Sequence, residues 1–184
     1  SALASFLHSF GVPVDALMGN HDCRSFSAEE FCACGNFRPA PYVAFCGGGE
    51  VCSIGASSDT ALIFLDANYL KDGDRAYREH SDWTDANLPQ SQLTFLTDIL
   101  DEIEDGKQAY IFVHQCLDPG IEERHIIKNA PAVRKIIEAN RDKVAAVVQG
   151  HYHTGADNII GGVKYITLPA MCVLDSKPYM LLEI

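Results

Sequence analysis

The chain has 184 residues, a formal net charge of −11, 47% hydrophobic residues and 21% charged residues. At about 150 residues per domain, this length predicts a single domain over residues 1–184. The composition is that of a globular protein, and it excludes a disordered chain, a collagen-like repeat and a coiled coil. The acidic balance disfavours a nucleic-acid partner, because no run of Lys or Arg offsets it. No apolar run approaches the roughly 20 residues that cross a membrane, so we expect no membrane partner.

Helical and strand-like patterns alternate along the chain. Apolar periodicity and turn residues predict, in chain order, a helix at 2–10, strands at 14–18, 42–46, 51–55 and 60–66, a helix at 88–103, a strand at 109–113, a helix at 130–140, and strands at 144–148, 158–160, 163–168 and 179–184. Short turns predict two hairpins. One pairs the strand at 42–46 with that at 51–55, and the other pairs the strand at 158–160 with that at 163–168. The rest of residues 23–50 and residues 71–86 predict irregular structure. We therefore expect an α/β fold with a mixed sheet.

Seven cysteines are present, and five of them fall between positions 23 and 52. An odd number cannot pair completely within the chain, and a domain of this length needs no disulfide framework. A structural zinc is the alternative, but no C-x-x-C pair is present, and Cys32 and Cys34 form a poor half-site. The pattern favours reduced thiols in a reducing compartment, and we expect a cytoplasmic location.

Three predicted strands end directly in side chains that bind metals. The first is followed by Asn-His-Asp at 20–22, the second by His114, and the third by His151 and His153. Because the carboxyl ends of strands in one sheet meet in space, these residues are expected to share one site. Imidazole nitrogens and amide or carboxylate oxygens suit divalent manganese, iron and zinc. Each residue alone also has a structural interpretation, but three such strand ends together favour a metal site.

The motifs occur in a recognisable order: Gly-Asn-His-Asp at 19–22, a lone strand-terminal histidine at 114, and Gly-His-Tyr-His at 150–153. This series resembles three signature blocks of the calcineurin-like metallophosphoesterase superfamily, and residues 88–93 and 165–168 extend the resemblance over the whole chain. The resemblance implies a four-layer fold, a mixed β-sandwich flanked by helices. It also implies a hydrolase that acts on phosphoester bonds.

Within that superfamily, one branch is the most similar. Residues 114–118, 125–130 and 149–153 resemble the manganese-dependent ADP-ribose/CDP-alcohol diphosphatase-like proteins. This similarity implies a phosphodiesterase or diphosphatase that takes a small phosphorylated or nucleotide-like substrate.

The resemblance also implies roles for individual residues. Asn20, His114 and His151 would bind one metal ion, and His153 would bind a second. Manganese is favoured for both ions, with iron or zinc as alternatives. Such a pair of ions neutralises phosphoryl oxygens and lowers the pKa of a bridging water, so that hydroxide attacks in line. Two dications would also explain how an acidic protein accepts a phosphate ester.

Two further residues of the first motif are assigned to catalysis by the resemblance. His21 would lie near the scissile phosphate as the general acid for the leaving oxygen, or as a stabiliser of its charge. Asp22 would orient the loop or the imidazole without itself binding a metal ion.

The D-x-H and G-D-x-x-D blocks of the superfamily are not found in the chain. Three ligands for one ion and one for the other are present, so we expect little or no turnover from this chain by itself. The sequence is either an N-terminally incomplete piece of a longer enzyme, lacking the first strands, or a natural short form. The short form would keep residual metal binding or a protein-interaction role. We favour the first interpretation because a complete set of downstream residues is retained. Missing strands would expose a sheet edge and favour a homo-oligomer.

Several loop residues are weaker candidates. Arg124 and His125 follow the His114 strand and are candidates for binding a substrate phosphate, although a solvated loop is the alternative. Trp83 and Tyr77 are candidates for a leaving-group pocket, but surface packing is favoured for both. Cys116 as a nucleophile has no supporting partner in the pattern.

Overall fold

The computed structural model describes residues 5–6, 8–11, 14–47, 50–52, 60–173 and 179–181. Within these ranges the strands are β1 (Tyr42–Gly47), β2 (Glu50–Cys52), β3 (Thr60–Leu65), β4 (Gln108–Val113), β5 (Val144–Gln149), β6 (Ala156–Ile160) and β7 (Val163–Thr167). The α-helices are α1 (Asn20–Cys23), α2 (Ala28–Gly35), α3 (Gln90–Glu102) and α4 (Ala130–Ala139). Single 3-10 turns lie at Trp83–Asp85 and Glu123–His125.

All of these strands belong to one mixed sheet with the order β2-β1-β3-β4-β5-β7-β6. Its centre is parallel from β3 through β4 and β5 to β7, and antiparallel pairs complete both edges. The register pairs Leu65 with Val113, Val113 with Gln149, and Gln149 with Thr167. The last residues of the four parallel strands are therefore level, and the side chains that follow them meet along one edge.

The main core lies between the sheet and the helices α3 and α4. Leu96 and Leu100 of α3 and Ile137 of α4 are fully buried, and they belong to the same apolar cluster as Ile63 and Ile111 of the sheet. Burial of each such side chain contributes about 1.5–3 kcal/mol. The apolar stripe predicted for residues 88–103 is confirmed, because four of its five members are buried and Ile99 packs against the cluster.

Most of the predicted elements are confirmed. The strands of residues 42–46, 60–66, 109–113 and 144–148, both hairpins and both long helices are present. The α/β class and the mixed sheet flanked by helices are also confirmed. A second sheet, as in the expected sandwich, is not formed by the described residues, because every strand there joins the one ladder.

The region around the first motif differs from the prediction. Residues 14–18 are not a strand; the Met18 carbonyl accepts a hydrogen bond from the Asn68 side chain, and Asp15 pairs with Arg38. Residues 20–23 form the short helix α1 rather than a loop. The helix α2 lies within the stretch expected to be irregular, and it is stabilised by reciprocal hydrogen bonds between Ser27 and Glu30 at its start.

The two ends of the chain also depart from expectation. Residues 5, 6 and 8 are helical, but Phe6 and Phe10 are exposed rather than part of a buried face; residues 1–4 and 7 lie outside the described residues. Residues 179–181 are not a strand, and Tyr179 and Leu181 are exposed, while 182–184 lie outside the described residues. No helix in the described part of the chain has the length and apolar content needed to cross a bilayer.

Candidate metal centre

Three of the predicted metal ligands come together at the level edge of the parallel strands. The Asn20 side-chain oxygen Oδ1 lies 3.0 Å from His114 Nε2 and 3.0 Å from His151 Nδ1. The His114 and His151 rings contact each other edge to face, with centroids 5.3 Å apart. Asn20 and His151 are buried. We call these three residues the buried trio; they come from positions separated by 94 and 131 residues from Asn20.

The backbone around the buried trio is shaped by two special positions. A Cβ atom at Gly19 would lie 2.9 Å from Cε1 of His114, so only glycine leaves room for the ring. His151 has a φ of 66°, a left-handed conformation that is uncommon for a residue with a side chain. This conformation turns the chain at the end of β5 and directs the His151 ring back over the sheet edge. Without such a turn, alternate residues of an extended segment would point to opposite faces of the sheet.

The imidazoles of the buried trio are held in their neutral form. Burial lowers the pKa of His114 to about 4, with additional repulsion from His21 and His153. Burial also lowers the pKa of His151 to about 3, with His114 as the next contribution. Neutral imidazole is the form that binds metals, so both rings are ready to bind a cation near neutral pH without first losing a proton.

The fit of these residues to a divalent metal can be judged from their donor atoms. Two neutral imidazoles and one amide oxygen converge from three separate chain segments, and such a set suits manganese, iron or zinc. Among the described residues, the buried Nε2 of His151 has no hydrogen-bond partner, which leaves a second nitrogen of that ring open. The donor set therefore fits, and Asn20, His114 and His151 are the residues that would hold the ion.

His21 and His153 form a second, more open pair beside the trio. Both side chains are exposed, and their ring centroids are 6.4 Å apart. Among the described residues, the hydrogen-bond partner of Asp22 is not an imidazole. Its Oδ2 accepts a hydrogen bond from the Gly19 backbone at 2.9 Å and so caps the start of α1. The three residues thus lie next to the trio but not within its hydrogen-bonded group.

A cleft of about 470 Å³ opens over this area. The remaining predicted site residues, Arg124 and His125, both line it. Trp83 also lines the cleft, with its ring 5.3 Å from the His151 ring and 5.2 Å from that of His125. Tyr77, the other leaving-group candidate, is not among the residues that line it.

The charges of the cleft are mixed. Arg124 is largely exposed and forms an ion pair with Glu122 at 3.0 Å. The His125 Nε2 lies 3.6 Å from the same carboxylate, and burial lowers the pKa of His125, with a smaller contribution from Arg124. Arg24, which sequence reasoning missed, also lines the cleft. Its position two residues after the Gly-Asn-His-Asp motif was the available signal.

Cys116, the cysteine considered as a nucleophile, is not in a reactive environment. Cys116 is buried, and its thiol donates to the Gly150 carbonyl at 3.3 Å. Burial raises the pKa of Cys116 to about 12, so the thiolate needed for nucleophilic attack is not formed near neutral pH. Cys23, Cys32 and Cys116 are free thiols, as the sequence predicted.

A different group of possible metal ligands lies on the loop after β3. Asp72, Asp74 and His80 are exposed, and their ligand atoms lie within 4.8 Å of one another. In the described part of the chain this is the one such group of three or more His, Cys, Asp or Glu residues. None of the three lines the cleft. We call these residues the exposed triad.

Comparison with known proteins identifies the fold but no family. No model of a protein family matches the chain, and no curated protein matches it. Among solved structures, it is similar to a dimetal phosphatase from Danio rerio, with a TM-score of 0.66 and 19% sequence identity. The match covers 90% of this chain and 63% of that one, so the chain spans less than two thirds of the phosphatase. The chain has the fold of a dimetal phosphatase, and the two metal-ligand groups described above are consistent with divalent metals.

Proposed function

We propose that this chain is the metal-binding part of a phosphoester hydrolase of the phosphodiesterase or diphosphatase type. The observation that carries the proposal is the buried trio, in which one amide oxygen lies 3.0 Å from two imidazole nitrogens and two of the three residues, Asn20 and His151, line a cleft. A solved structure with the same fold is a dimetal phosphatase, which supports this chemistry. The proposed substrate is a small phosphorylated or nucleotide-like molecule.

A pair of divalent ions, for which we propose manganese, would supply a hydroxide nucleophile and neutralise the phosphoryl oxygens. The trio would provide one set of ligands, and His153, which lines the same cleft as Asn20 and His151, would contribute to a second set. Exposed His21 would give a proton to the leaving oxygen, and Asp22, through its hydrogen bond from the Gly19 N–H, would stabilise the start of the helix α1 that carries His21. Arg24 and Arg124 both line the cleft and would be available to a second anionic group of the substrate.

The test combines metal binding with hydrolysis. Mn²⁺ affinity is measured by calorimetry, and hydrolysis of a chromogenic phosphodiester is measured with and without Mn²⁺. We expect the wild-type chain to bind Mn²⁺, and we expect His114→Ala and His151→Ala to weaken binding by about 100-fold, because each removes a ligand. Unchanged Mn²⁺ affinity in both variants would refute the assignment.

A second candidate function is a non-catalytic domain of the same fold that keeps metal binding. The composition of the trio favours it, because an amide and two neutral rings carry no negative charge to hold two dications close together. Mn²⁺ binding that depends on His114, without any Mn²⁺-dependent hydrolysis of the phosphodiester, would support this second function. Hydrolysis that His21→Ala abolishes would support the first.

A further inference from the structure

We propose that Asn68 is a positioning residue for the metal centre, acting through the two chain segments that carry Asn20 and His114. The inference rests on the proposed function, since it assigns the trio to metal binding. Asn68 does not touch a ligand itself. Its side-chain amide joins the backbone just before the Gly-Asn-His-Asp motif to the side chain just after His114.

The hydrogen bonds of the Asn68 amide define this role. Its Nδ2 donates to the Met18 carbonyl at 2.7 Å, two residues before Asn20. Its Oδ1 accepts a hydrogen bond from Nε2 of Gln115, the residue after His114. Asn68 and Gln115 are 2% and 1% exposed, so neither bond is weakened by competition with solvent. One planar amide therefore sets the spacing between the two segments whose ligand atoms must lie 3.0 Å apart.

Asn68 is itself fixed by the end of β3. Its Nδ2 and its backbone N–H both donate to Asp66 Oδ1, at 2.7 Å and 2.9 Å. Gln92 of α3 bonds both backbone polar atoms of Asp66, at 2.9 Å and 2.8 Å, and Arg75 pairs with the other carboxylate oxygen. The amide is thus anchored to the core helix and the sheet, which makes it a rigid reference point for the loop before Asn20.

Close packing makes the centre sensitive to a shift of that loop. The Met18 carbonyl is followed by Gly19, whose backbone faces the His114 ring at a distance that excludes a Cβ atom. Movement of the Met18 segment therefore moves Asn20 relative to His114. Loss of the residues that orient metal ligands lowers metal affinity by about 10–100-fold, which is the effect expected for Asn68→Ala.

The matched control is Asn129, whose side-chain amide, like that of Asn68, uses both its oxygen and its nitrogen in hydrogen bonds. It accepts from the Leu88 N–H at 3.0 Å and donates to the Leu88 carbonyl at 2.7 Å, and it contacts no residue of the trio. Asn129→Ala therefore reports the general cost of removing a backbone-clamping amide. Both variants are expected to lower the melting temperature, so stability alone does not distinguish them.

The first measurement uses the metal-free protein. Imidazole ¹⁵N and ¹H resonances of His114 and His151 are recorded by NMR for the wild type, Asn68→Ala and Asn129→Ala. We expect both rings to shift in Asn68→Ala, because the Asn20 oxygen moves relative to them, and to stay in place in Asn129→Ala. Ring resonances that are unchanged in a folded Asn68→Ala protein would overturn the proposal. If Asn68→Ala does not fold, Gln115→Ala removes only one of the bonds and is held to the same criterion.

The second measurement is a Co²⁺ titration followed by the visible absorption bands of the bound ion. Asn68→Ala should bind Co²⁺ about 10–100-fold more weakly with altered bands, whereas Asn129→Ala should stay within about twofold of the wild type. Wild-type affinity and bands in Asn68→Ala would overturn the positioning role. Wild-type Co²⁺ binding by His114→Ala would instead overturn the proposed metal centre, and the metal-free ring resonances would still decide the role of Asn68.

Discussion

The buried trio and the exposed triad are two groups of metal-ligand residues built in opposite ways. The trio brings Asn20, His114 and His151 from three segments to one strand edge, and hydrogen bonds join its members. The triad consists of Asp72, Asp74 and His80 from one loop, all exposed to solvent. Asn20 and His151 of the trio are already largely shielded from water, whereas the ligand atoms of the triad are fully hydrated and would have to give up water to bind an ion. From this contrast we expect preorganised ligands to bind metal more tightly than ligands that are merely close together.

The largest expected effect comes from removing ligands of the two groups in parallel. His114→Ala should weaken Mn²⁺ binding by about 100-fold, and the double variant Asp72→Asn/Asp74→Asn should change it by less than about twofold. Calorimetry on the same preparation checks both. A loss of binding in the double variant with none in His114→Ala would reverse the comparison and move the metal site to the loop.

A pair of glycine substitutions separates packing from backbone effects. Gly19→Ala places a Cβ atom 2.9 Å from the His114 ring, which must shift, at a cost of about 1–3 kcal/mol. Gly73→Ala, within the exposed triad, meets no atom within 4 Å but is strained by its φ of +93°, at a cost of about 1 kcal/mol.

The two glycine variants should therefore differ in metal binding more than in stability. We expect weaker Mn²⁺ affinity in Gly19→Ala and wild-type affinity in Gly73→Ala, measured beside urea unfolding curves. Equal Mn²⁺ affinities for the two variants would contradict the close contact between Gly19 and His114.

The depressed histidine pKa values predict an acid-sensitive fold. Between an unfolded pKa near 6.5 and folded values of about 4 for His114 and about 3 for His151, protons bind the unfolded state but not the folded one. The free energy of unfolding should therefore fall as the pH drops through this window, by up to about 1.4 kcal/mol per pH unit for each ring.

Urea unfolding of the metal-free protein at a series of pH values between 7 and 4 measures this slope. The variant His114→Gln/His151→Gln removes both titrating rings and should show a shallower dependence on pH. Parallel curves for the two proteins would mean that the rings are not desolvated as described.

The smallest expected effect concerns thiol reactivity. Burial raises the pKa of both Cys23 and Cys116 to about 12, whereas Cys172 is exposed. Iodoacetamide at pH 8.5 should therefore modify Cys172 well before the two buried thiols, as read by peptide mass spectrometry. Rapid modification of Cys116 would show that the segment between His114 and Gly150 opens readily. That result would weaken the contrast between the buried trio and the exposed triad.

Strong periodicity made much of the fold predictable. Leu93, Leu96 and Leu100 mark α3 clearly, and the apolar runs that end at His114 and before Gly150 are unmistakable strands. Short apolar runs were misleading: residues 14–18 look like a strand but lack a ladder partner, and the helix α2 begins with a capping box that the nearby prolines obscured. Pairing and capping depend on neighbours that a local pattern does not contain.

The candidate site was predictable to the extent that strand ends carry it. The rule that placed His114 and His151 together also applies to β3, whose end is level with that of β4 and is followed by Asp66 and Asn68. From sequence alone, Asp66 and Asn68 do not stand out as site residues, because carboxylates and amides beside strands are common in turns. The open positions of His21 and Arg24 were not predictable, since they depend on the short helix α1.

The level ends of the four parallel strands have a consequence for how the molecule tolerates change. Each residue inserted in or deleted from β4 or β5 would displace the following ligand by about 3.3 Å and turn its side chain to the opposite face of the sheet. The strand register does not constrain the length of the loops beyond this edge, such as those that carry Trp83 and Arg124. We therefore expect insertions and deletions to be better tolerated in these loops than in β4 or β5, where they would change the spacing of the ligands.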